Sequence, residues 1–263
     1  MSSLQNAREA PLWLDSFDES LHGRKPLDGP VSVDVAIIGG GYSGLWTAYY
    51  LLENDPSLRV LIIEKEFCGY GASGRNGGWC EGALAGGTEK YAKRSTMGEA
   101  LRLERTMFET VDEIQRVLDS EDINCDFHKG GFVSVARNLP QAQRQRSAVE
   151  LARERGTGEE IIRILDADEA RAHVNATNVH SGIFFAPSAV VDPGKMVRGL
   201  AKAVERKGGT IVEGTTALSI STGKVVCVEG VVSADVIVQA TEGYTRDIKG
   251  KKLDLPVSYT HLT

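Results

Sequence analysis

Short apolar, β-branched runs alternate with amphipathic stretches along the chain, and their spacing predicts an α/β fold. Residues 33–38 (VDVAII) have the composition of a strand buried on both faces of a parallel sheet. Residues 45–52 follow as a helix of good formers, stopped by Asn54, Asp55 and Pro56, and residues 59–63 form a second buried strand. Further on, Met107, Phe108, Val111, Ile114 and Leu118 recur at helical spacing within 101–118. Residues 131–136 alternate like a half-buried strand, and 161–165 and 182–186 read as further strands. Residues 140–155 read as a charged helix whose arginines, interspersed with Glu150 and Glu154, make a solvated face. Pro193 opens a helix with Met196, Leu200, Ala203 and Val204 on one face, and Gly208 and Gly209 end it. Residues 210–213 read as a strand, 224–228 and 231–232 as a hairpin around Glu229 and Gly230, and 234–241 as another buried strand.

Chemistry enters at the joint between the first strand and the first helix, Gly39-Gly-Gly-Tyr-Ser-Gly44. In a strand-turn-helix of this kind Gly39 permits the tight turn, Gly41 lets the main chain approach a pyrophosphate, and Gly44 lets the helix pack closely on the strand. The phosphates then meet the helix N-terminus, where Tyr42 and Ser43 lie. Glu64 ends the second strand about 20 residues past the last glycine, the distance expected of a ribose-binding acid. A carboxylate there would repel a 2′-phosphate, which disfavours NADP; Lys65 beside it joins the candidate site.

Residues 67–87 separate a flavin from a nicotinamide. They are mostly small, with a glycine-rich core, and so make poor helix and poor strand. Such a segment is expected to stay extended and to let a large planar ligand lie against its main chain. Gly71, Ala72, Ser73, Gly77 and Gly78 are the candidates for that contact. Arg75 and Asn76 add a cation and a two-way amide at the flavin site, with no catalytic role.

The run Gly69-Tyr-Gly-Ala-Ser-Gly-Arg-Asn-Gly-Gly-Trp79, after a glycine fingerprint and a strand ending in Glu64, resembles the D-amino-acid-oxidase-type FAD-dependent oxidoreductases. Within them it is most similar to the gamma-glutamylputrescine oxidase-like branch. The resemblance extends to Pro11-Leu-Trp-Leu-Asp15, which looks like that branch's N-terminal arm, through Asp192-Pro-Gly-Lys-Met196 to Gly209, and to Ala240-Thr-Glu-Gly-Tyr244. It implies a Rossmann-like FAD-binding domain with an interleaved α+β substrate domain. FAD is the implied cofactor, with Ala217 against the adenine and Ala240 and Thr241 near the pyrophosphate, although Glu242 interrupts the Ala-Thr-Gly end that the family carries. The implied domains are an arm at 1–30, an FAD-binding domain at 31–95 and 191–250, and part of a substrate domain at 96–190. The implied reaction is oxidation of the C–N bond of an amine or amino acid to an imine, by hydride transfer to flavin N5 and with oxygen or another electron acceptor. No catalytic residue follows from the resemblance.

Composition narrows the partners. A formal net charge of −6, from 36 acidic and 30 basic residues, argues against a nucleic-acid binder. No apolar run reaches membrane-spanning length, and the first residues lack a signal-peptide core, so a cytoplasmic protein with no membrane partner is expected. Cys68, Cys80, Cys125 and Cys227 lack metal-type spacing and are expected to be reduced thiols, with no metal site. Residues 255–257 look like the start of a family strand, whereas Val257-Ser-Tyr-Thr-His-Leu-Thr263 resembles a translated sequencing adapter, so 258–263 are expected to be a non-native tail on a truncated chain. Two alternatives stay open: a non-catalytic FAD-binding fragment, and the flavin domain of a tRNA-modifying enzyme.

Overall fold

A computed structural model describes residues 12–16 and 23–251 of the protein. Pro11 of the arm motif, the strand expected at 255–257 and the tail expected at 258–263 lie outside the described residues. The described chain divides into two compact units: one contains the residues up to Gly77, Ile123–Cys125 and the residues from Asp192 on, and the other contains Gly78–Asp122 and Asp126–Val191.

The first unit opens on β1 (Val31–Ile38), α1 (Tyr42–Asn54) and β2 (Val60–Ile63). Val35, Ala36, Ile37 and Ile38 are buried, as is all of β2, because these strands pair in parallel at the middle of a sheet. Helix α1 buries Leu45, Ala48, Tyr49 and Leu52, the i, i+3, i+4, i+7 stripe of one helical face. It begins three residues earlier than the apolar pattern shows, since Tyr42, Ser43 and Gly44 form its first turn.

In the second unit come β3 (Trp79–Glu81), α2 (Thr88–Ala92), α3 (Met97–Ser120), β4 (Phe132–Ala136), α4 (Leu139–Glu154), β5 (Ile162–Leu165), α5 (Ala167–His173), β6 (Ser181–Phe185) and β7 (Ser188–Val190). β3 and β7 form an antiparallel ribbon, and β4, β6 and β5 form a three-stranded antiparallel sheet in that order. Helix α4 packs on this sheet, and its buried Gln145 is satisfied by donating to the Ser134 carbonyl at 2.8 Å and accepting from the Ser181 hydroxyl at 2.8 Å. A small core of Leu165, Ala170 and Val179 fills the space beneath α5. No apolar period marks α5, yet a capping box does: Asp166 accepts from the Asp168 and Glu169 amides, and the Glu169 carboxylate accepts from the Asp166 amide. Nor does the reading of 67–87 hold throughout: residues 72–74 turn as a 3-10 helix instead of staying extended, and 79–81, expected to make poor strand, pair with β7.

The chain then re-enters the first unit as α6 (Pro193–Arg206), β8 (Thr210–Val212), β9 (Ala217–Ser221), β10 (Lys224–Cys227) and β11 (Val231–Gln239). Asp192 caps α6 by accepting from the Lys195 amide at 2.9 Å, and Pro193 occupies its first position. The helix buries Met196, Leu200 and Val204 while packing on α1, each side chain contributing about 1.5–3 kcal/mol. The sheet order is β8-β2-β1-β11-β10-β9, with β8, β2, β1 and β11 parallel and the last two pairs antiparallel. The pieces expected at 231–232 and 234–241 are instead the single strand β11, which ends at Gln239 and leaves Asp235 and Val236 exposed. Val232 and Ser233 hold it together, pairing with β1 on one side and β10 on the other. This is the Rossmann-like α/β arrangement, in which the crevice for a ligand lies beyond the carboxyl ends of the parallel strands. Among the described residues no helix is long and apolar enough to cross a membrane.

Candidate nucleotide-binding site

At the carboxyl end of β1 the backbone reverses at Gly39, whose φ of +110° is a conformation that side chains with a Cβ rarely adopt. A Cβ there would also stand 2.4 Å from the Ala240 carbonyl oxygen, so the turn lies directly on the end of β11. Gly41 precedes α1 without a side-chain cap, and Leu45 is the residue whose amide first closes back on the Gly41 carbonyl. No acidic residue stands in that first turn, which leaves its partial positive charge to an anion from outside.

The second glycine segment folds over this turn. The Gly69 amide donates to the Gly40 carbonyl at 3.1 Å, and the Ser73 hydroxyl accepts from the Tyr42 amide at 2.9 Å. Beside them, one oxygen of Glu64 accepts from the Gly40 amide at 2.7 Å and the other from the Glu66 amide at 2.9 Å. Burial raises the Glu64 carboxyl above the ordinary glutamate value of 4.5, against the pull of the Glu66 and Gly40 amides, and the charges of Glu213 and Glu66 add to the rise. Two glycine loops and a partly desolvated carboxylate therefore surround one cavity of about 310 Å³.

Of the residues the sequence singles out, Gly39, Gly41, Tyr42, Ser43, Glu64, Lys65, Gly71, Ala72, Ser73, Ala217, Ala240 and Thr241 line this cavity. The others do not. Gly44 lies beneath the turn, where a Cβ would stand 2.1 Å from the Gly39 carbonyl oxygen. Arg75 turns back, donating to the Tyr70 carbonyl at 2.5 Å with its guanidinium 4.6 Å from the Tyr70 ring centroid. The Asn76 side-chain Nδ2 closes the 3-10 turn by donating to the Ser73 carbonyl at 2.9 Å, and the Asn76 main-chain carbonyl accepts from the Trp13 indole at 2.7 Å. Gly77 faces open space, and the Gly78 carbonyl accepts from the Val191 amide.

The cavity also takes in residues that the sequence does not single out as site residues, among them Thr215, Thr216, Tyr244 and Ile248. Thr215 and Thr216 directly precede Ala217, which lines the cavity as well. Tyr244 belongs to a 3-10 turn at Glu242–Asp247, which no apolar period announces. Glu242 lines the cavity as well, and its φ of +44° is a left-handed conformation uncommon outside glycine and asparagine. This is the physical trace of the residue that interrupts the Ala-Thr-Gly end. The four cysteines are free thiols, and burial pushes Cys68 well above the ordinary thiol value, with the charge of Glu213 adding to it.

The chain matches the family described as FAD dependent oxidoreductase, DAO, over residues 34–263. It belongs to that family. The family's cofactor is FAD, and a glycine turn, an open helix N-terminus and an acid at the end of β2 are the donor set that such a dinucleotide requires. The chain is 29% identical over 226 residues to the gamma-glutamylputrescine oxidoreductase of Escherichia coli, a match that covers 84% of this chain and 51% of that protein. It is 30% identical over 227 residues to the oxidoreductase OrdL of Haemophilus influenzae, covering 83% and 51% respectively. The chain thus spans about half the length of these relatives. Among solved structures, the L-amino acid deaminase of Proteus myxofaciens superposes with a TM-score of 0.71 at 22% identity, over 92% of this chain and 51% of that one. The glycine oxidase of Geobacillus kaustophilus superposes at 0.68 and 22%, over 86% and 60%. These likenesses establish the fold of this family member.

Proposed function

We propose that this family member binds FAD in the cavity at the carboxyl ends of β1, β2 and β11, as part of an enzyme that oxidises the C–N bond of an amine or amino acid. The observation that carries the reading is the convergence of both glycine loops and the Glu64 carboxylate on one cavity. The amides at the start of α1 would hold the diphosphate, Glu64 would accept from the ribose hydroxyls, and the main chain at Ala217 would face the adenine. Bound FAD supplies the hydride acceptor, N5, for conversion of the amine carbon to an imine, and oxygen or another acceptor takes the electrons onward. The first unit then serves as the FAD-binding domain and the second as part of the substrate domain. The likeness to gamma-glutamylputrescine oxidoreductase favours a primary or γ-glutamyl amine as substrate.

FAD added during a thermal melt is expected to raise the midpoint, with about 2.7 kcal/mol of stabilisation at a hundredfold excess over Kd. An unmoved midpoint overturns the cofactor site. The whole enzyme should be yellow and should bleach anaerobically with a primary or γ-glutamyl amine; a colour that persists across amines and amino acids overturns the reaction.

Glu64 carries two further expectations. Glu64→Ala orphans the Gly40 and Glu66 amides and removes the ribose acceptor, and should weaken FAD by roughly 1.5–3 kcal/mol in a fluorescence titration. FAD affinity should also fall as pH drops through the raised Glu64 value, since ribose hydroxyls donate to the ionised form, and Glu64→Gln should flatten that limb. Stability of the apo fold has the opposite sign. A carboxyl whose folded pKa lies above its unfolded one makes the fold less stable as pH rises through the window above 4.5.

A further inference from the structure

The family match begins at residue 34, yet the chain ahead of it is bonded to the floor of the nucleotide cavity. Arg24 reaches across the first unit to Glu205 of α6, with bonds of 2.7 Å from both Nε and Nη2, and to Glu213 just past β8, at 2.9 Å from Nη1. Glu213 is 2% exposed, and its Oε1 also accepts from the Cys68 amide at 2.9 Å. Among the described residues its Oε2 is buried with no hydrogen-bond partner, and Arg24 is the cation that faces this carboxylate. Three residues on, the Leu27 amide donates to the hydroxyl of Thr215, a residue of the cavity wall, while Leu27 itself is buried in the core.

From Glu213 the bonding runs on into the turn. Cys68 is held by Glu213, the next residue Gly69 donates to the Gly40 carbonyl, and Gly40 donates to Glu64. The space there is filled: a Cβ on Gly40 would stand 2.7 Å from the Cys68 sulfur, so a shift of the Cys68 loop is transmitted to the turn rather than absorbed. We propose that Arg24 and Glu213 are positioning residues for the adenosine half of the cofactor site, through which the segment before residue 34 sets the affinity of the cavity. The proposal rests on the FAD reading above. Without Arg24, Glu213 becomes a buried carboxylate with no counter-charge, and such a group takes up water or moves. Its movement pulls on the Cys68–Gly69 loop and, through Gly40, on Glu64.

The test uses the full chain and two probes, FAD and ADP, with affinities from calorimetric titration and apo melting midpoints from fluorescence. Arg24→Met should weaken both probes by the same factor, about tenfold, which corresponds to ~1.4 kcal/mol. Equal factors place the effect on the ADP half that the two probes share. Adding Glu213→Gln to that variant should restore both affinities to within about threefold, because a neutral amide no longer needs the cation and its oxygen still accepts from the Cys68 amide. A purely structural role would lower the apo melting midpoint of Arg24→Met and leave the affinities of the folded protein at the parent's values. Arg24→Lys keeps a cation beside Glu213 and gives up the paired bonds to Glu205, so it should bind both probes as the parent does while melting earlier; it also serves if Arg24→Met fails to fold. Parent-like affinities in a folded Arg24→Met protein, an absence of rescue by Glu213→Gln, or an Arg24→Lys protein with a tenfold loss would each overturn the proposal. A parent chain that binds neither FAD nor ADP would remove the cofactor reading and this proposal with it.

Discussion

Gly44→Ala is expected to cost the first unit at least about 3 kcal/mol, the top of the usual range for an overpacked core. The added methyl would stand 2.1 Å from the Gly39 carbonyl oxygen and 3.2 Å from Ile37 Cγ2. Neither neighbour is the far end of a flexible side chain. The carbonyl is main chain in a turn already fixed at φ +110° against Ala240, so the helix must move instead. Moving α1 off β1 loosens the buried stripe of Leu45, Ala48, Tyr49 and Leu52 and lifts the helix N-terminus away from the cavity. The midpoint of a thermal melt should fall by roughly 6 °C or more, and FAD affinity should fall with it. A variant that melts with the parent would mean that this turn and helix do not pack as described.

The same contact shows what a sequence discloses and what it withholds. Gly44 could be assigned its role from spacing alone, because close helix-strand approach is a local requirement and only glycine meets it. Buried parallel strands were legible for a similar reason: residues covered on both faces leave an uninterrupted apolar run, as 60–63 do. Ser233 hid the continuity of β11, since one exposed polar residue looks like an end until both neighbouring strands are seen to hold it. Arg75 shows a different limit. Its charge in a glycine-rich loop suggests a ligand, but the short chain distance to the Tyr70 carbonyl and ring lets local bonds capture it. Long-range partners such as Arg24 and Glu213, 189 residues apart, leave no period or spacing to read. Glu64 was recognisable as an acid at the right distance, whereas its burial beside Glu213 and its hold on the Gly40 amide depend on the packed fold.

Gly41→Val should separate binding from folding. Gly41 has φ −87° and ψ −177°, an extended conformation in which a β-branched residue is at ease, so the backbone imposes no penalty. The added Cβ would approach Ser73 Oγ at 2.9 Å, and a serine hydroxyl can rotate away at the loss of its bond from the Tyr42 amide, about 0.5–1.5 kcal/mol. Stability should therefore change far less than in Gly44→Ala. The valine methyls, however, enter the wall of the cavity at the start of α1, where a diphosphate must come close to the main chain. Loss of that approach forfeits several charge-assisted bonds at once, each about 1.5–3 kcal/mol, so FAD affinity should fall by more than about a hundredfold. The purified variant is expected to be folded and colourless, with a melting midpoint that added FAD does not move. A yellow Gly41→Val protein with parent-like affinity would place the diphosphate elsewhere, because no rearrangement that keeps α1 on β1 clears those methyls from the turn.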